Sequence, residues 1–372
     1  MKAGVRFENL ALDPGGTLGS LAVGPGDRVA LIGDHIGDTD RLLEACLGFT
    51  KPSQVDVIVD LPDGSIQLSQ ASGRQIRSLR GSAMAWVPRT LGLLPWQSVR
   101  ETVALGLELS PQNRNNRSSN NRDRTNRDHA NGLPVEAMRL LSLSAHAEIP
   151  VGELPLATRI RVAFARALAT GASVLLLQDP FGALPPAQRL SLARDIAAVV
   201  TRLGRTLLVS TDDPVTGWTL TNRAAVIGAG RLLQAGPWRQ LISAPVNACV
   251  RDRLAGLDPG AVLTGLDVAR PLDDCPGGGF LDPEHAFRLE RDGDGVVLRV
   301  EKWGTPVPLV AAGDDPSITP ATGSIAIASA DADLNALITL LEATAMPVLL
   351  TDQGRITHVL DAAAVSAWMA AP

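Results

Sequence analysis

Three stretches constrain the fold more than anything else in the chain: "RVALIG" (Arg28 to Gly33), "SVLLLQD" (Ser173 to Asp179) and "TLLVST" (Thr206 to Thr211). Each is an almost unbroken apolar run of strand length, the pattern of a central strand covered on both faces. Between them, "ATRIRVAFARALAT" (Ala157 to Thr170) and "AQRLSLARDIAAVVTRLG" (Ala187 to Gly204) have helical apolar spacing, the second closed by its glycine. The repeated return to a buried strand predicts an α/β domain built on one sheet from Val5 to about Gly256. A chain of 372 residues exceeds what one core usually serves, so a further domain is expected. After Asp258 the Pro/Gly-rich "DDCPGGGFLDPEHA" reads as a join. The expected organisation is a first domain over 1–257, a linker over 258–280 and a smaller unit over 281–372. In that unit "LNALITLLEATAMPVLLTDQGRITHVLDAAAVSAWMA" predicts helix, strand, a turn near Gln353 and Gly354, strand and helix.

Other function classes are excluded early. The net charge of −5 provides no global basic field for nucleic acid. Cys46, Cys249 and Cys275 are scattered and lack metal-ligand spacing, so neither a disulfide framework nor a zinc site is expected. No run approaches the ~20 apolar residues of a membrane span, and "MKAGVRFENL" lacks a signal-peptide core, which predicts a cytoplasmic protein. The segment Gln112 to Asn131 has seven Asn, five Arg and no hydrophobe larger than alanine, and is expected to be a disordered, solvated insertion.

The stretch after "RVALI" has the frame of a phosphate-binding loop, GxxxxGK[ST], which needs glycine for close backbone approach, lysine for the phosphates and a hydroxyl for magnesium. Gly33 opens the frame, followed by Asp34, His35, Ile36 and Gly37; Asp38 then replaces the second glycine, Thr39 the lysine and Asp40 the hydroxyl. A carboxylate ~5 Å from a phosphate repels it by about 3 kcal/mol per charge pair at an effective dielectric near 20. No replacement lysine is near, since the lysines are Lys2, Lys51 and Lys302. Asp34, His35, Asp38 and Asp40 match no ordered metal-loop spacing, and no metal site is assigned to them.

Several further landmarks occur in order: "LLPWQSVRETVALGLEL" from Leu93, "ELPLATRIRVAFARALA" from Glu153, "LLLQDPFGAL" from Leu175, "TNRAAVIGAGRLLQAGP" from Thr221, and "LISAPVNACVRDRLAGLDPGAVLTGLDVAR" from Leu241. With the loop, they make the first ~270 residues resemble an ABC transporter ATP-binding subunit of the glycine betaine/proline betaine importer type. The resemblance implies an ABC-type P-loop α/β domain, a mixed sheet plus a helical subdomain. The tail is similar to a CBS module, with Leu281 to Ala328 as an abbreviated second one. ATP and magnesium are implied by the family only.

Carried over position by position, the resemblance implies lost chemistry. The strand-end pair for magnesium and the attacking water falls on Gln178 and Asp179, the phosphate-sensing glutamine on Arg89, the switch histidine on Asp212 and the dimer-contact aspartate on Pro185. The LSGGQ signature falls on Leu154, Pro155, Leu156, Ala157 and Thr158, where proline removes an amide donor and side chains replace glycine. The stretch Ala11 to Gly16 offers no aromatic for adenine. In the tail, the adenylate-binding positions fall on Asp361 and Ala364. ATP binding is therefore expected to be weak or absent. The segment implied to dock the membrane-spanning subunit is retained in Pro95, Val99, Arg100 and Glu101, with Trp96 as an interface anchor.

The expected function is a non-hydrolysing subunit at the inner membrane face, docking a permease and a second ATP-binding subunit in a homo- or heterodimer. Two alternatives stand beside it. One is a working ATPase energising osmolyte uptake, with Arg41 or Arg89 reaching the phosphates. The other is a soluble scaffold or regulatory protein outside any transporter.

Overall fold

The protein is described from a computed structural model, which covers residues 3–9, 19–33, 36–50, 55–109, 124–274, 281, 286–291, 297–312, 321–352 and 355–370. It divides into two compact units, Met1–Gly256 and Leu257–Pro372.

The first unit holds two sheets rather than the single one expected. Strands β1 (Gly4–Glu8), β2 (Leu21–Val23), β4 (Asp56–Leu61) and β5 (Gly64–Gln67) form an antiparallel sheet in the order β2-β1-β4-β5. Their short, half-buried strands alternate faces, and Gly64, at φ 134°, closes the β4–β5 hairpin. Strands β3 (Arg28–Gly33), β6 (Met84–Val87), β7 (Val174–Gln178), β8 (Thr206–Thr211), β9 (Arg223–Gly228) and β10 (Arg231–Pro237) form the second sheet, ordered β10-β9-β3-β8-β7-β6. It is parallel from β9 to β6, with β10 returning antiparallel through Ala229 and Gly230. All three apolar runs of the sequence are thus central strands. The main core lies among the antiparallel sheet, the helix Ile36–Cys46 and the parallel sheet, and includes Phe7, Leu42, Leu43, Cys46, Val59, Leu176 and Leu208.

The predicted helices appear as Leu156–Ala169 and Pro186–Leu203, the latter ended by Gly204 in the left-handed conformation (φ 57°). Leu156–Ala169 packs with Val99–Leu109 and Arg124–Leu140 in a helical layer. Gly106 lets two of these helices touch, because a Cβ there would collide with the Arg166 carbonyl oxygen. The helix Arg124–Leu140 corrects the disordered reading of 112–131, because residues 124–131 form its first turns. Ala137 and Met138 bury its other end, and extending a formed helix costs far less than starting one. Residues 112–123 lie outside the described residues.

In the second unit, β11 (Arg270–Pro271), β15 (Leu309–Ala311), β16 (Ile325–Ser329), β17 (Val348–Asp352) and β18 (Arg355–Leu360) form a sheet ordered β11-β18-β17-β16-β15. Helices Leu334–Thr344 and Ala362–Ala370 complete the tail in the predicted element order; Gln353 and Gly354 lie outside the described residues. The expected linker is partly structured: Asp258 and Thr264 cap short helices at Pro259–Val262 and Gly265–Val268, and Arg270–Pro271 pairs with β18. Leu281 to Ala328 contains strands and no helix among its described residues, at odds with an α/β repeat. Instead β12 (Phe287–Arg291), β13 (Val297–Lys302) and β14 (Thr305–Val307) make an antiparallel meander. Its β13–β14 turn places Trp303 and Gly304 at positive φ, 51° and 79°.

Candidate functional site: a phosphate-loop frame closed by an arginine

Parallel strands deliver their carboxyl ends to one edge of the sheet, where α/β folds place their sites. Here β3 ends at Gly33, β6 at Val87, β7 at Gln178 and β8 at Thr211, and pairing of Gln178 with Ser210 and of Ile32 with Thr211 keeps those ends level. The helix Ile36–Cys46 leaves this edge directly after β3. Asp34 and His35 of the loop lie outside the described residues.

Thr39, at the lysine position, is fully buried, and Asp40, at the hydroxyl position, is 9% exposed. Asp40 Oδ1 accepts a hydrogen bond from Ser210 Oγ at 2.5 Å. Its other oxygen faces Arg89: Arg89 Nη2 donates to Asp40 Oδ2 at 3.0 Å, and Arg89 Nη1 donates to Asp179 Oδ2 at 2.8 Å. One guanidinium therefore spans the loop position that would hold magnesium in the resemblance and the strand-end position that would orient water. The three side chains together still carry one net negative charge, and Asp38 stands half-buried at the same helix start. Arg89 does reach the site, as a compensated ATPase requires, but both arms of its fork are held by carboxylates. Arg41 is exposed.

Burial would lower the pKa of Arg89, but the hydrogen bond and charge of Asp40, together with Asp179, outweigh it and hold the guanidinium above its ordinary value. Asp179 behaves differently. It is 4% exposed, and burial, reinforced by the nearby Asp212 charge, pushes its carboxyl up to about 6 although Arg89 and Arg189 pull the other way. Its backbone is left-handed (φ 34°), and a Cβ on Gly182 would come within 2.6 Å of Asp179 Oδ2. Gln178 is buried, and its Nε2 lies 3.5 Å from Glu44 Oε1.

The other positions fall as follows. Asp212 is exposed at the end of β8. Its neighbour Asp213 caps the next helix through Val215 N (3.1 Å) and accepts from Arg189 Nη1 at 3.0 Å. Pro185 caps the helix Pro186–Leu203 without a side-chain bond. Pro155 does the same for Leu156–Ala169, leaving Leu156, Ala157 and Thr158 half-buried in its first turn. Of the docking residues, Pro95 is exposed and Trp96 is 72% exposed, next to exposed Leu94. Val99 is fully buried, so it belongs to the core. Arg100 Nε donates to Glu148 at 2.7 Å, and Glu101 accepts from Ser98 N at 2.9 Å as a cap of its own helix. Sequence reasoning missed Ser210 and Arg253, whose Nη1 approaches the Gly33 carbonyl at 3.4 Å. No local spacing marks either residue.

The fold is that of an ABC-type P-loop nucleotide-binding domain, and the chain is homologous, at low identity, to ATP-binding subunits of ABC importers, glycine betaine ones among them. It is 25% identical over 293 residues to the glycine betaine/proline betaine transport system ATP-binding protein ProV of Escherichia coli, covering 77% of this chain and 68% of that one. It is 31% identical over 160 residues to the spermidine/putrescine import ATP-binding protein PotA 1 of Pseudomonas aeruginosa, covering 43% and 41%. Among solved structures it resembles cbiO1 of Clostridium perfringens, part of the ABC transporter complex cbiONQ, with a TM-score of 0.51 and 19% identity over 65% of this chain and 91% of that one. No protein-family model matches the chain. Among the described residues no helix is long and apolar enough to cross a membrane.

Proposed function

We propose that the chain is a non-hydrolysing subunit of a glycine betaine-type ABC importer, docking a permease and a second ATP-binding subunit at the inner face of the membrane. The observation that carries this reading is the guanidinium of Arg89 bridging Asp40 and Asp179, which leaves the loop acidic and the arginine that reaches it already paired with two carboxylates. In a head-to-tail dimer, an active partner's loop would meet Pro155 to Thr158, while its signature would meet Asp38 to Asp40, so both composite sites would be impaired. The exposed Leu94, Pro95 and Trp96 supply the surface for the permease. The tail, read as one CBS-like module, serves contact with a partner's module rather than adenylate binding. Asp361, at the phosphate position, is engaged by Ala364 N at 2.7 Å and by Arg270.

Equilibrium binding of Mg-ATP to the purified chain tests the first half of the reading: no binding at millimolar nucleotide is expected, and tight binding overturns it. Co-expression with a glycine betaine-type permease and its ATP-binding subunit tests the second, since failure to co-purify with either rejects the docking role.

A further inference from the structure

Residues 88–98 cross from β6 to the helix Val99–Leu109 without regular secondary structure, yet they are tied at every stage. At the entry, Arg89 forks between Asp179 (2.8 Å) and Asp40 (3.0 Å), and Asp40 is itself held by Ser210 (2.5 Å). In the middle, Arg166 donates to the Leu91 carbonyl at 2.8 Å and the Gly92 carbonyl at 2.5 Å. At the exit, Gly152 N donates to the Pro95 carbonyl and Val151 N to the Gln97 carbonyl, both at 2.8 Å. Between these ties the segment turns on itself, Leu91 N to Pro88 O at 2.9 Å and Gln97 N to Leu94 O at 3.2 Å, and presents Leu94, Pro95 and Trp96 to solvent.

We propose that Arg89 is a positioning residue, a cation built into the chain that fixes the Trp96-bearing segment in one place whether or not any ligand is bound. The argument is electrostatic and topological. Asp40 comes from the start of one helix and Asp179 from the end of β7, so the two carboxylates repel across the gap between elements. A cation must sit between them for those elements and the 88–98 segment to stay together. In a ligand-driven device that cation arrives with the ligand and leaves with it. Here it is covalently attached two residues beyond β6, and its planar fork suits two carboxylates at once. The joint is therefore permanent, and a partner that grips Trp96 meets a surface that does not respond to nucleotide. This holds whether or not the partner is a permease.

Amide hydrogen exchange on the full chain tests it. In the wild type, exchange at Leu91 and Gln97 is expected to be unchanged, within about twofold, on adding millimolar Mg-ATP. In Arg89→Gln it should rise roughly tenfold or more, because local opening is no longer opposed, while the helix Pro186–Leu203 exchanges as before. Arg89→Lys, which reaches one carboxylate at a time, should fall between. Wild-type exchange at both amides in a folded Arg89→Gln chain overturns the proposal, as does a change of exchange in the wild type on adding Mg-ATP. Should Arg89→Gln not fold, Arg89→Lys, which keeps both carboxylates but loses the fork, takes its place: raised exchange at Leu91 and Gln97 supports the assignment and wild-type exchange rejects it.

Discussion

At the scale of single residues, the site is governed by how far each charge is removed from water. Asp179 and Asp40 have side chains 4% and 13% exposed, whereas Arg89 remains 39% exposed. Removing the arginine leaves two buried carboxylates without their cation, the situation in which breaking a pair costs most. Discounted for the solvent that reaches Arg89, Arg89→Ala is expected to lower stability by about 1–3 kcal/mol in urea denaturation. Neutralising both acids in the same background should recover most of that loss. Asp179 yields a pH signature. Its carboxyl stands at about 6 in the fold against an ordinary 3.8, so between those values the folded chain holds the proton more tightly than the unfolded one. Its contribution to stability therefore falls as pH rises from about 4 to about 6 and is level above, with a span on the order of 3 kcal/mol at most. Stability of the wild type relative to Asp179→Asn should be greater near pH 4 than near pH 7, and a difference independent of pH would contradict the assignment. That Asp38, Thr39 and Asp40 stand at the glycine, lysine and hydroxyl positions of the frame can be read along the chain, because the motif is local. The replacement contacts cannot. Arg89 finds partners 49 and 90 positions away, and Ser210 lies 170 positions from Asp40, so only the level strand ends bring them together.

At the scale of elements, legibility followed burial. Strands β3, β7 and β8 announce themselves because both faces are covered and every residue is apolar. The antiparallel sheet does not stand out along the chain because its strands are short and alternate buried with half-exposed positions, so polar residues such as Arg6 and Asp60 interrupt any continuous apolar run. These two pair with each other at 2.8 Å across the β1–β4 ladder. The helical layer depends on Gly106, where the neighbouring helix backbone leaves no room for a methyl group. Gly106→Ala gains helix propensity but forces the helices apart, and a net loss of about 1–3 kcal/mol is expected in chemical denaturation. A stabilising Gly106→Ala would mean that the layer yields freely.

At the scale of the whole molecule, the two units have separate cores. The first gathers residues such as Phe7, Leu43 and Leu208, and the second gathers Leu281, Phe287, Val300, Ile325 and Val359. Residues 1–256 alone should therefore fold with one cooperative transition, measurable by circular dichroism during a urea titration. A fragment without a transition would show that its core is incomplete. Both units also place an Asp–Arg pair where the resemblance puts nucleotide contacts, Asp40 and Asp179 with Arg89 in one and Asp361 with Arg270 in the other.

The helix Ile36–Cys46 bears Asp40 near one end and Cys46, fully buried, at the other, while Cys249 is exposed. The chain thus carries a native stopwatch. A thiol reagent should modify Cys249 at once and Cys46 only when that helix lifts from the core. Peptide mass spectrometry of the labelled protein would then time, without any engineered probe, how often the helix that bears Asp40 opens.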